Sequence, residues 1–401
     1  MKRSTERILT THVGSLIRPE AIKDHLRAKI DGADYDEAAH LECLTGAVVD
    51  IVRSQAAAGI DVVSDGEFGK GISWSQYMLE RLGGFERRLL GDQAPDPYAA
   101  GEDRKRFAEF YREMDAADAR SSRSDGGAVK AETICTGPIT YTGQAALQRD
   151  IDNMNAAMKS VGVGGGVAEG FLPVAAPASA IPDRRNEYYA SNEECVFALA
   201  DAMRTEYKTI TDNGLLVQID DARAAVTFDR MVPGKATKQE FLSWLAMHME
   251  ALNHAIKGIP EELIRYHVCW GSWPGPHTTD VPFPDIADLV LSVNAGAYVI
   301  EGANPRHEHE WRVWEDVKQP DGKVLIPGVI SHATNIFEHP ELVAQRITRL
   351  ANLVGRENVI ASTDCGFAQT PFHQRTHETI MWAKLEALAE GAKIASRELW
   401  T

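Results

Sequence analysis

Short runs of apolar, often β-branched residues recur along the chain, at residues 8–12, 60–64, 132–136, 171–175, 215–220, 266–269, 297–300, 324–330 and 358–362. Between them lie longer stretches with helical periodicity, at 39–58, 192–213, 238–257, 284–294 and 340–354. In the last of these, Leu342, Val343, Ile347, Leu350 and Leu353 share one face and charges occupy the other. Strand then helix, repeated about eight times with no all-β block, predicts a parallel α/β protein. Polar or special residues follow nearly every run: Asp65-Gly66-Glu67, Gly137-Pro138, Asp220-Asp221, Glu301-Gly302, His332 and Asp364-Cys365. A closed barrel of eight βα units gathers such strand ends at one face, whereas an open sheet collects only some of them. The expected architecture is therefore an α/β TIM (β/α)8 barrel, a single catalytic domain over residues 1–401. Nine runs compete for eight staves, with 171–175 and the first run as candidates for the surplus one.

The strand–helix rhythm breaks over about residues 84–130, which are charged and hold Ala94-Pro95-Asp96-Pro97 and a small polar run at 121–127. This reads as a helical or irregular insertion after the second strand, able to form a lid or the contact of a homo-oligomer. The glycine cluster at 162–166 lacks a strand before it and a helix after it, so it reads as a flexible turn rather than a phosphate loop.

Composition narrows the function. With 44% hydrophobic and 25% charged residues the chain is ordinary globular material. Its 42 basic and 58 acidic side chains give a net charge of -16, a field that repels nucleic-acid backbones. No apolar stretch reaches the roughly 18 residues of a membrane span, and the N-terminus lacks the apolar core of a secretory signal. Five widely spaced cysteines, Cys43, Cys135, Cys195, Cys269 and Cys365, argue against a disulfide framework and for a reducing cytoplasm.

Chemistry concentrates at Tyr266-His267-Val268-Cys269. Residues two apart on a strand project to the same side, so His267 and Cys269 can present an imidazole and a thiolate to one cation. That pair alone is weak, since a core histidine beside a buried cysteine looks the same. Two later strand ends add Glu301 and Cys365, giving one nitrogen, two sulfurs and one carboxylate, a donor set suited to zinc rather than magnesium or calcium. His307 and His309, set among charges, are rival ligands that read better as rim residues.

Taken together, Thr11-His12-Val13-Gly14-Ser15, Asp65-Gly66-Glu67, Thr136-Gly137-Pro138-Ile139-Thr140, Gln218-Ile219-Asp220-Asp221, His267-Val268-Cys269, Ile300-Glu301 and Asp364-Cys365-Gly366 occur in a recognisable order. In these motifs the chain resembles the catalytic barrel of cobalamin-independent methionine synthase and its compact single-barrel relatives, which include epoxyalkane:coenzyme M transferase. The resemblance implies a catalytic zinc held by His267, Cys269, Glu301 and Cys365. It also implies thiol-substrate contacts from Val13, Gly14, Ser15, Glu67 and Asp220, and a proton-handling histidine after the seventh strand, matched by His332. Departures concern the donor: Phe68-Gly69-Lys70-Gly71 follows Glu67 and Asp221-Ala222 follows Asp220, unlike the folate-dependent enzymes, and the stretch 270–284 lengthens the gap to Glu301.

The expected activity is transfer of a methyl or alkyl group to a small-molecule thiol, as in homocysteine methylation. Zinc would supply the thiolate, His332 would supply a proton to the leaving group, and Glu67 with Asp220 would anchor an α-ammonium. Epoxide opening by a thiol is the alternative within this chemistry. Porphyrin-type decarboxylation and a zinc-stabilised binding protein without catalysis are the alternatives outside it.

Overall fold

The computed structural model describes residues 1–89, 100–123, 131–162, 166–181, 184–232 and 235–401, with the side chains of 117–123 and 131 also left aside. Eight parallel strands alternate with helices: β1 (Leu9–Thr10), β2 (Val62–Ser64), β3 (Glu169–Ala175), β4 (Leu216–Asp221), β5 (Ile264–Val268), β6 (Ala297–Ile300), β7 (Val324–Ile330) and β8 (Ile360–Thr363). They pair in the order β1-β8-β7-β6-β5-β4-β3-β2, and a bridge between Thr11 and Val62 closes the ring into a TIM barrel.

Every strand from β3 to β8 is buried along most of its length, as expected for staves covered by helices outside and by one another inside. The larger hydrophobic cluster lies between strands and helices, where Leu199, Met203, Tyr207 and Ile210 of the helix Asn192–Asp212 are buried. Inside, smaller clusters form from alternate positions: Leu9, Val299, Ile326 and Ile360 in one, Val62, Phe171 and Leu216 in the other. Helix starts are fixed locally. Ser191 accepts from the Glu194 N–H, and Thr237 with Glu240 forms a capping box at the helix Lys238–Ile256.

The surplus run is neither of the two candidates. Residues 132–136 lie in a long strand, Ala131–Tyr141, which pairs antiparallel with Leu82–Leu89 and parallel with Arg185–Asn186 in a separate three-stranded sheet. Gly137-Pro138 therefore sits inside that strand rather than at a barrel strand end. Gly137 and Pro138 carbonyls crowd Gly84, whose φ of 92° brings the two chains together where a side chain would collide. The region after β2 is thus part sheet and part helix, with helices at Glu102–Arg106 and Ala108–Arg123. Residues 94–97, and most of the polar run at 121–127, lie outside the described residues, as do 163–165 of the glycine cluster.

Candidate active site

The register of the staves sets the geometry. Asp220 at the end of β4 pairs with His267 of β5, and His267 with Val299 of β6. His267 is buried, its Nδ1 faces the Val299 carbonyl at 3.2 Å, and its Nε2 has no hydrogen-bond partner. Donation from Nδ1 leaves the Nε2 lone pair free, the tautomer a metal ligand needs. Burial pushes the ring down to about 3, so it is neutral at physiological pH.

Cys269 follows two residues on, and Cys365 leaves β8. Their sulfurs lie 3.5 Å apart, both cysteines being free thiols. Two sulfurs at about 2.3 Å from a tetrahedral zinc would lie roughly 3.8 Å apart, whereas a disulfide brings them to about 2.05 Å. The donor atoms of His267, Cys269 and Cys365 all fall within 4.8 Å of one another. The unpartnered imidazole nitrogen and the paired sulfurs fit a thiophilic cation. A hydrogen bond with Cys365, then burial, hold the Cys269 thiol well above its ordinary range, a penalty a cation would remove.

Glu301 does not join this close trio. Its Oε1 accepts from the Trp270 backbone N–H at 2.8 Å and its Oε2 from the Asn304 amide at 3.1 Å. Burial raises its pKa, and the charge of His307 pulls it part of the way back. Asp364 shapes the turn beyond it, accepting from the N–H groups of Gly302 and Ala303 at 2.9 and 2.8 Å.

The loop after Cys365 and the loop after β1 meet. Ser15 O accepts from the Phe367 N–H at 2.9 Å, the Val13 carbonyl accepts from the Gln218 amide, and Gly14 lies against Pro173 and Glu67. Gly366 is required at its position because a Cβ there would stand 1.9 Å from Ser15 Oγ. Gly366→Ala is expected to push the Ser15 loop aside, costing about 1–3 kcal/mol and raising KM for the thiol roughly tenfold with metal content unchanged. A wild-type KM and melting temperature would show that the contact is dispensable.

Glu67 is buried at a φ of 63°, a left-handed conformation costly for a side chain, held by its N–H to Asp65 Oδ1 and its carbonyl to Arg18. Asp220 Oδ1 accepts from the Gln218 amide at 2.9 Å; burial and the neighbouring Glu67 push its carboxyl well above the usual range. His332, after β7, is buried with Nε2 3.3 Å from the Ser272 carbonyl and Nδ1 without a partner. Burial lowers it to about 3.

Several groups were not anticipated. Arg265, fully buried beneath His267, donates to Thr11 and to the His12 carbonyl and lies over the Phe171 ring at 4.0 Å. His307 is buried rather than at the rim. Its Nε2 meets Asp280 at 3.0 Å and its Nδ1 meets Glu310 at 2.7 Å, while Asp280 also meets His277 at 3.0 Å. Burial alone would lower His307, but these bonds outweigh it and raise the ring to about 9. The only advance signal was the density of histidine and acid in 277–310. The loop carrying His277 is tied to the insertion: Thr278 donates to Asp103 and Trp273 Nε1 to the Tyr111 hydroxyl, while Thr279 donates to Asp229, which also accepts from the N–H groups of Glu102 and Asp103.

A parallel barrel with a His-Cys-Cys cluster at its mouth defines the class, and sequence comparison agrees. The family model described as cobalamin-independent synthase, catalytic domain, matches residues 179–386, just over half of the chain, and the chain belongs to that family. It is 25% identical to the methionine synthase of Sulfolobus acidocaldarius, covering 97% of this chain and 93% of that one. Identity to the methionine synthase of Saccharolobus solfataricus is 24%, covering 97% and 95%. The fold is shared with a B12-independent methionine synthase from Shewanella sp. in complex with selenomethionine, at a TM-score of 0.70 and 18% identity over 98% of this chain and 99% of that one. Among the described residues no helix is long and apolar enough to cross a membrane.

Proposed function

We propose that this protein is a zinc-dependent S-methyltransferase of the cytoplasm that methylates homocysteine. The convergence of His267, Cys269 and Cys365 at a barrel mouth carries this reading, and the methionine synthase relatives support it. Zinc would be held by these three side chains, with Glu301 as fourth donor, and would supply the Lewis acidity that keeps a thiol deprotonated at neutral pH. Glu301 would be held for this role by its hydrogen bonds to the Trp270 N–H and the Asn304 amide.

Asp220 and Glu67 receive the α-ammonium, whose charge favours the ionised carboxylate that burial of Asp220 disfavours. His332 handles the thiol proton. With Nε2–H donated to the Ser272 carbonyl, its Nδ1 lone pair is a buried acceptor with no other partner. The S–H bond breaks toward His332, the S–CH3 bond forms, and the bond between methyl and donor breaks. The proton then passes from His332 to the leaving nitrogen or oxygen of the donor.

The test is to load the protein with zinc, supply homocysteine with a methylated folate or another donor whose methyl leaves nitrogen or oxygen, and measure methionine. Failure to hold about one zinc per chain, or to methylate homocysteine from any donor, overturns the reading; thiol adducts with small epoxides alone would replace the donor half. His332→Gln is expected to lower kcat about 100-fold with KM and zinc content retained. Unchanged kcat would remove His332 from the proton path.

A further inference from the structure

Lys70 carries a buried charge that the metal centre and the acid pair do not use. It lies three residues beyond Glu67 and is 6% exposed. Its Nζ stands 3.3 Å from Glu67 Oε2 and 4.5 Å from the centre of the Tyr77 ring. Yet that nitrogen, with three protons to donate, completes no hydrogen bond. A buried ammonium is costly unless its donors are satisfied.

Of its neighbours, Tyr77 is committed elsewhere, whereas Arg18 is committed through one nitrogen and keeps its Nε and other Nη without partners. Tyr77 gives its hydroxyl to Glu206, and Arg18 holds the carbonyls of Glu67 and Lys70 itself. A lysine present only to neutralise Glu67 would be expected to aim at it, as Arg81 aims at Asp150 and Glu206. Instead the pair is off the hydrogen-bond axis, and the Lys70 charge is also felt at Asp65 and Asp220. Lys70 therefore stands at the end of the thiol pocket where both acids gather, with its donors free.

We infer that Lys70 binds the carboxylate of the thiol substrate, making the pocket specific for thiols that carry an anionic group. The inference rests on the thiol-transfer function proposed above and names the substrate class of that same site. A zwitterionic thiol would then find Lys70 for its carboxylate and Asp220 with Glu67 for its ammonium, adding no net charge to a buried pocket. A thiol bearing only an ammonium would leave Lys70 unsatisfied and repelled.

The experiment is calorimetric binding to the zinc-loaded protein of homocysteine, 3-aminopropane-1-thiol, which lacks the carboxylate, and 4-mercaptobutyrate, which lacks the ammonium. Wild type is expected to prefer homocysteine to 3-aminopropane-1-thiol by roughly tenfold or more. Lys70→Met is expected to weaken homocysteine and 4-mercaptobutyrate by a similar factor and to leave 3-aminopropane-1-thiol bound as well or better. Lys70→Arg, which keeps the charge, is expected to retain most of the preference. Equal loss for all three thiols in Lys70→Met would make Lys70 a support for Glu67 and overturn the inference. Should Lys70→Met not fold, the wild-type preference and Lys70→Arg decide. A wild type that binds homocysteine and 3-aminopropane-1-thiol equally overturns this inference alone, whereas one that binds none of the thiols overturns the proposed function as well.

Discussion

Cys269→Ala is expected to cut zinc content from about one per chain to below roughly 0.1, and methyl transfer by on the order of 1,000-fold. Cys269 is buried, its sulfur is 3.5 Å from that of Cys365, and among the described residues only His267 and Cys365 converge with it. Without it two close donors remain, too few for a tetrahedral site. The rate loss corresponds to about 4 kcal/mol of lost Lewis-acid stabilisation. The site sits at strand ends above a filled barrel, so circular dichroism should report an intact fold. Cys43→Ala, on the helix Glu37–Ala57, serves as control and should keep both metal and activity. A Cys269→Ala protein that retains zinc and rate would eliminate the proposed centre.

Arg81→Met is expected to remove about 3–5 kcal/mol of stability, the largest loss foreseen away from the metal. Arg81 pairs with Asp150 of the helix Gln144–Val161 and, at 2.7 Å, with Glu206 of the helix Asn192–Asp212; the side chains are 6%, 10% and 0% exposed. Its guanidinium lies 4.8 Å from the Tyr77 ring centre, and Tyr77 gives its hydroxyl to the same Glu206. Methionine fills similar volume but, among the described residues, leaves Glu206 without a cation and Asp150 with only Arg149. Removing one member of a buried pair costs far more than the pair's net worth, because the remaining charge stays desolvated. Urea unfolding measures this directly, and a loss below about 1 kcal/mol would show that water reaches the acids once Arg81 is gone.

Much of the barrel was legible because its staves are short, continuous apolar runs ending in polar residues, as at Ala297–Ile300 before Glu301. The helix Pro340–Val354 was legible to its ends. The error at 132–136 has a physical origin: alternation marks a strand but not its partner. That partner, Leu82–Leu89, reads Gly83-Gly84-Phe85-Glu86-Arg87-Arg88 and offers no apolar run. The spacing of His267 and Cys269 was local and readable, and Cys365 became readable once strand ends were expected to meet. Glu301 was readable as a strand-end acid, but not its orientation, which depends on a backbone N–H at Trp270. His307 looked like a surface residue because Arg306, Glu308 and Glu310 surround it in sequence. It is buried by Asp280 and by the Trp270 ring, 4.6 Å away between centroids, neither of them close in the chain.

The barrel ring is not equally strong all the way round. From β3 to β7 each junction carries four or five registered pairs, whereas β1 has two residues and meets β2 through one bridge, Thr11 to Val62, and through Asp61, whose N–H donates to the Thr10 carbonyl and whose carboxylate accepts from Thr10. The segment Val13–Ser15 leaves this thin seam, while His267 and Cys269 leave the heavily laced side. Brief opening at the seam would let a spent thioether depart and a fresh thiol enter without disturbing β5. On the proposed function, such a vessel would keep its ion through many rounds of turnover while its cargo changes.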